Sequence, residues 1–298
     1  TIDSLHVAAG GIIEPGANGA GKLIVGDDAI LGTTAVLNFD LGTASDTIAV
    51  ATDLTLDGTI NITGGVGFGA GTYTIMTYSG TLTNNTLEIG TNPGGGYLYS
   101  ITSDADEVFL VVNSAPTISI DASTLAYTEN DAATQIDAAA TSSDADGDAD
   151  WNTGTLVVQM TGNNEAADEL SILDNVVGSI NTDGTNLQDG ATVIGTLSSS
   201  EGTVTDGTAL TITLNSNATN ALVQEVVRAI HYRNTSNNPG TSNRTVTYTV
   251  TDASGGTSND ARVISVTAAN DAPTISIDAS TLAYTENDAA TQIDAAAT

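Results

Sequence analysis

The chain has 298 residues, length for about two domains, and 40% of them are hydrophobic, enough for packed cores. Thirty-six acids stand against five bases, a formal net charge of −31. That excludes partners whose binding needs basic residues to displace counterions, namely nucleic acid and anionic membrane surfaces. Cysteine is absent, which excludes disulfides, thiolate metal sites and cysteine nucleophiles.

Residues 1–113 are Gly-rich and carry short apolar runs in the order LIVG, AVLNFDL, DTIAVA, DLTLDGTINIT, GTYTIMTYSG and EVFLVV. Such runs, separated by turn residues and almost free of helical signals, read as strands. In DLTLDGTINIT the apolar residues Leu54, Leu56, Ile60 and Ile62 flank Asp57-Gly58. The dipeptide fits a tight hairpin turn. It also fits a corner between two strands of a β-solenoid, and the surrounding spacing favours the solenoid.

Residues 114–271 carry strand signals at TISI, TLAYT, TQIDA, TLVVQM, ATVIGTL, TALTITL, RTVTYTVT and ARVISVTA. That number suits a two-sheet β-sandwich. One helix is expected at ALVQEVVRAI, where Leu222, Val226 and Ile230 form a single apolar stripe that would plug an open side of the sandwich. Arg228, Arg233, Arg244 and Arg262 lie in or after this segment and are expected to pair with local acids.

An internal repeat organises the chain. Residues 115–141 and 272–298 are identical, APTISIDASTLAYTENDAATQIDAAAT. The unit is therefore duplicated, the third region (272–298) is the opening of a further copy, and a tandem array is expected. The opening strands of that copy could also complete the sandwich of a neighbouring subunit. The abrupt ends suggest a piece of something longer. No apolar run has the length to span a bilayer, and no signal peptide is visible.

The acids are clustered. Asp144, Asp146, Asp148 and Asp150 alternate in one loop around Gly147 and would repel one another without a cation. Calcium takes six to eight oxygen ligands, and loops of alternating aspartates supply them. With disulfides excluded and Lys22 the one lysine, calcium is the remaining means of stiffening the second half of the chain.

On these motifs the second region resembles a bacterial cadherin-like repeat, a cadherin/Ig-like sandwich of the kind strung along large adhesins. The resemblance implies a set of calcium ligands. Thr-Glu-Asn-Asp supplies Glu129, the loop AATSSDADGD supplies Asp144 and Asp146 with Asp148 beside them, YTVTDASGG supplies Asp252, and VTAANDAPTI supplies Asn270 and Asp271. Glu286 repeats Glu129 in the next copy, and Glu286, Asn270, Asp271 and Asp252 are expected at one junction. Ala268 stands where the family often has an aspartate, and Ser114 replaces the linker aspartate at the first junction. No match to the family's middle Asp-Arg-Glu motif is found. Fewer ions per junction and a weaker first junction are therefore expected. The first region resembles the end of an autotransporter passenger solenoid, through Glu14-Pro15-Gly16, KLIVGDDAIL, SDTIAVATDLTLDGTINIT, GTYTIMTYSGTL and the closing EVFLVV.

No catalytic constellation stands out. His6 and His231 lie in different regions without partner motifs, and the first region offers a lyase-type reaction only Lys22. The chain is expected to be an extracellular, non-enzymatic, calcium-stabilised structural protein, a rod or filament subunit of a surface or matrix fibre. The alternative is a segment of a large adhesin that presents a ligand-binding surface. Its expected partners are calcium, neighbouring copies of itself and surface or matrix glycans.

Overall fold

The alternating runs of the first region stack as rungs of a three-sided parallel solenoid. The fold comes from a computed structural model that describes residues 1–16 and 19–294. The first rung holds β1 (Leu5–Val7), β2 (Ile12–Ile13) and β3 (Lys22–Val25). The second holds β4 (Ala29–Leu31), β5 (Val36–Leu41) and β6 (Thr47–Val50), and the third β7 (Leu54–Leu56), β8 (Thr59–Gly64) and β9 (Gly71–Thr77). A last partial rung adds β10 (Leu82–Asn84) and β11 (Glu88–Ile89). The sides are the parallel ladders β1-β4-β7-β10, β2-β5-β8-β11 and β3-β6-β9.

Period-two alternation gives each rung one inward and one outward set of side chains. Leu37, Phe39, Leu41, Ile60 and Ile62 point inward and are buried. The third side is closed by an antiparallel hairpin, β12 (Tyr97–Ser103) and β13 (Glu107–Ser114), with β13 paired to β9. Beneath it Phe68 stacks on Tyr73 at 5.5 Å and on Tyr99 at 6.5 Å, closing this end of the core.

Asp57-Gly58 is a corner and not a hairpin, since β7 and β8 belong to different parallel ladders. Gly58 has φ 88°, and a Cβ there would collide with the Ala35 carbonyl oxygen of the rung below. Only glycine satisfies both constraints.

The second region contains β14 (Thr117–Ser119), β15 (Leu125–Thr128), β16 (Thr134–Gln135), β17 (Thr141–Ser143), β18 (Thr155–Gly162) and β19 (Asp168–Ile172). It continues with β20 (Ile180–Asp183), β21 (Asn186–Asp189), β22 (Thr192–Leu197), β23 (Thr203–Thr205) and β24 (Leu210–Leu214). It ends with α1 (Asn220–Arg228), β25 (Ile230–Asn234), β26 (Arg244–Thr251) and β27 (Thr257–Thr267). An eight-stranded sheet runs β15-β27-β26-β18-β24-β22-β21-β20, a four-stranded sheet runs β16-β25-β19-β23, and β14 pairs with β17. Leu156, Val158, Ile212 and Val250 of the larger sheet share one core with Leu170, Ile172, Ile230 and Tyr232 of the smaller.

The one α-helix among the described residues is capped by Thr219, whose hydroxyl accepts from the Leu222 amide at 3.2 Å. Its buried face is Val223, Val226 and Val227, while Ile230 opens β25. Of the expected stripe, Val226 and Ile230 are buried and Leu222 packs partly buried against the same core, but Ile230 lies in β25 because the helix stops at Arg228. Three arginines pair with acids: Arg233 with Glu169 at 2.6 Å, Arg262 with Asp121 at 3.0 Å, and buried Arg244 with Asp168 at 3.0 Å. Arg228 instead donates to the Ala140 carbonyl.

Residues 268–294 form no strand, and the end of the third region, 295–298, lies outside the described residues. For the solenoid corner, Gly58→Ala is expected to lower stability by about 3 kcal/mol in urea unfolding, combining left-handed strain with a steric clash. Gly10→Ala, also at positive φ but with open space around it, should cost about 1 kcal/mol.

Candidate metal centre

The loop after β17 turns the Asp-x-Asp run back toward the solenoid. Gly147, at φ 97°, precedes a 3-10 turn over Asp148–Trp151. Trp151 is fully buried and its indole N–H donates to Asn220 Oδ1 at 3.0 Å. Asn220 Oδ1 also accepts from the Asp144 amide at 2.6 Å, and its Nδ2 donates to the Asp144 carbonyl at 3.0 Å. The first residue of α1 therefore fixes both ends of the acidic loop.

The turn breaks the alternation seen in sequence. Asp148 faces away and accepts from the Asn220 amide at 2.7 Å, stabilising the start of α1. Asp150 takes its place. Among the described residues, Asp144, Asp146 and Asp150 form one group whose ligand atoms all lie within 4.8 Å of one another.

The solenoid contributes through the last residues of β13. Asn113 Nδ2 donates to Asp150 Oδ2 at 2.5 Å and to Asp146 Oδ2 at 3.2 Å, and the Ser114 amide donates to Asp146 Oδ2 at 2.6 Å. A cavity of about 260 Å³ lies here, lined by Thr72 and Val112 of the solenoid and by Asp146, Asp150 and Ser254 of the sandwich. Asp252 lies beside this group in the β26–β27 turn, near enough for its charge to raise Asp144, and its Oδ1 accepts from the Gly256 amide at 2.7 Å.

Three oxygens here are buried without a hydrogen-bond donor: Asn113 Oδ1, Asp144 Oδ2 and Asp252 Oδ2. A buried acceptor left unmatched costs about 1–3 kcal/mol, more when charged. The electrostatics agree. Burial, then the carboxylates of Asp150, Asp146 and Asp252, push the Asp144 carboxyl up from 3.8 to about 6, against the hydrogen bond from the Asp146 amide. Burial, with Asp150 adding to it, also raises Asp252. The three clustered carboxylates, with buried carboxylate oxygens that lack donors, fit a hard divalent cation, while Asn113 faces them with its Nδ2 and not its oxygen.

The remaining expected ligands lie elsewhere. Glu129 is at the other end of β27, where its Oε2 accepts from the Ala269 amide at 2.8 Å and its Oε1 is buried without a donor. Asn270 and Asp271 are exposed in the segment that follows. Asp252 was expected to join them. It cannot, because the 11 residues of β27 separate the two ends of the sandwich by about 35 Å. Glu286 lies exposed in a turn of the tail and meets none of them. Asn113 was not among the expected ligands, and Asp150 was expected only as part of the alternating loop, outside the set that the resemblance implies. Asn113 was legible through the repeat, since it holds the place of Asn270 one unit earlier. The choice of Asp150 over Asp148 within that loop is made by the 3-10 turn.

No protein-family profile matches the chain, and no solved structure matches it. The chain is similar to the adhesin BmaC autotransporter of Brucella suis biovar 1 (strain 1330), at 39% identity over 98 residues. The match takes in 30% of this chain and 3% of that protein. The chain is thus all-β, with a solenoid and partial homology to an autotransporter adhesin. No described helix is long and apolar enough to cross a membrane, which says nothing about β-barrels.

In cation-free solution the raised Asp144 pKa means that the folded state binds its proton more tightly than the unfolded chain does. Its contribution is therefore present at low pH and is lost as pH rises through about 6. The expected outcome, in chelator, is a thermal midpoint that climbs on acidification from about pH 7.5 to about 5.5, with Asp144→Asn removing much of the climb.

Proposed function

We propose that the chain is a segment of a large cell-surface adhesin in which a bound calcium ion locks a solenoid to a cadherin-like β-sandwich repeat. The observation that carries this reading is the seam itself. Asp144, Asp146 and Asp150 cluster there against Asn113 of the solenoid, with Asp252 beside them and three buried oxygens lacking donors. A side-chain amide can present either end. With a cation among the carboxylates, Asn113 would turn its oxygen inward and cease to donate to Asp146 and Asp150.

The relative is an autotransporter adhesin, which supports a surface or extracellular location and favours the adhesin segment over a filament subunit. The letter-for-letter repeat supports a tandem array. On this reading the chain has no enzymatic role, and its partners are calcium, neighbouring units and the ligand of the whole adhesin, with glycans as one class.

Calorimetric titration tests the ion. At calcium about a hundredfold above the Kd the fold should gain about 2.7 kcal/mol, so chelation should lower the thermal midpoint. Asp150→Ala and Asn113→Ala should weaken binding on the order of tenfold or more, while Asp148→Ala should leave it nearly unchanged. A midpoint indifferent to chelator, or equal loss in Asp148→Ala, would remove the ion from the seam. Electron microscopy separates the two architectures: purified chain should give short particles, and long regular fibres would restore the filament subunit.

A further inference from the structure

The acidic cluster at the seam is closed on one side and open on the other. Asp144 and Asp252 are 4% and 3% exposed and take no part in lining the cavity of about 260 Å³. Asp146 and Asp150 are only half-buried, and both face that cavity. A cation held by the cluster is therefore shielded by the sandwich behind it and reachable from the cavity in front.

The protein does not fill the shell of such an ion. Asp144, Asp146 and Asp150 offer one ligand atom each. Asn113 with its oxygen turned inward would make four, and Asp252 beside the group at most five. Calcium takes roughly six to eight oxygens. At sevenfold or eightfold coordination two or three positions remain, and the open side is where outside oxygens can reach them.

Charge decides what can fill them. Every charged group acting on Asp144 is another acid, and the arginines are engaged elsewhere. Four carboxylates outweigh one divalent ion, so a ligand bearing carboxylate or phosphate is repelled. The ligand that fits is neutral and brings two adjacent oxygens in place of two waters.

The far wall of the cavity suits such a ligand. Val111 gives it an apolar surface, and Gly71 beside it has open space where a Cβ would stand. The exposed hydroxyls of Thr72 and Ser254 flank it from the solenoid and the sandwich, Ser254 donating to Asp150 Oδ1 at 3.3 Å. The volume falls just under the roughly 300–1,000 Å³ of pockets for drug-sized ligands, which leaves room for one ring. Vicinal hydroxyls, an apolar C–H face and no charge are together the chemistry of a neutral sugar.

We infer that the seam is a calcium-dependent binding site for one neutral sugar residue, whose vicinal hydroxyls complete the shell of the ion while its C–H face meets Val111 and Gly71. The inference rests on the cation reading and gives the adhesin segment a place to grip its ligand. Both regions contribute to it, so neither the solenoid nor the sandwich alone carries the site.

Saturation-transfer NMR on the whole chain tests it, with the methyl glycosides of mannose, galactose and fucose as probes and calcium binding followed separately by calorimetry. In calcium at least one glycoside should receive transfer, chelator should abolish it, and N-acetylneuraminic acid, which carries a carboxylate, should receive none. Thr72→Gln fills the cavity from an exposed position. It should leave calcium affinity nearly unchanged and remove the transfer. Calcium bound with no transfer to any of the three glycosides overturns the inference and leaves the cation reading standing. Transfer that survives chelator or Thr72→Gln also overturns it, because the sugar would then bind elsewhere. A chain that binds no calcium removes the cation reading and this site together.

Discussion

Four carboxylates and one amide crowd the seam between solenoid and sandwich, and every charged neighbour that raises Asp144 is another acid. Much of the chain's architecture is arranged around that unfavourable contact. Trp151 and Asn220 hold the acidic loop in place from the sandwich side, and the end of β13 approaches it from the solenoid side. A chain with 36 acids and five bases has few ways to neutralise such a point internally. Its arginines are already committed, three to other carboxylates, of which only the Arg244–Asp168 pair is fully buried, and Arg228 to a carbonyl.

Much of the first region was legible because a solenoid repeats one local rule. Leu54, Leu56, Ile60 and Ile62 alternate and point inward whatever the larger fold. What sequence left open at Asp57-Gly58 was the direction of the next strand, because a hairpin turn and a solenoid corner both want Asp-Gly. The choice is made by stacking against Ala35 on the rung below, a contact remote in sequence.

The second region was read less completely. β19, Asp168–Ile172, is buried at every position, so it lacks the alternation that betrays a half-exposed strand, and it opens with two acids. Asp168 is tolerable there only because Arg244, Tyr232 and Asn234 all donate to it, three partners that no local window contains. The centre was half legible for a similar reason. Alternating aspartates suggest ligands on one face of an extended chain, but a 3-10 turn changes the period and exchanges Asp148 for Asp150. The order of motifs along the chain also says nothing about which end of a sandwich each one reaches, and so Asp252 was grouped with the wrong partners.

The parallel pairing of β15 with β27 has a mechanical consequence. A pull applied between Asn113 and Thr267 enters the second region before β14 and leaves it at the end of β27. It therefore drags β15 and β27 past each other along their lengths, with Leu125–Thr128 abreast of Ile264–Thr267. Bonds that lie across the pulling direction must fail together and not one by one, like a lap joint compared with a zip. A strand at the sheet edge thus becomes the fastening that resists extension under load.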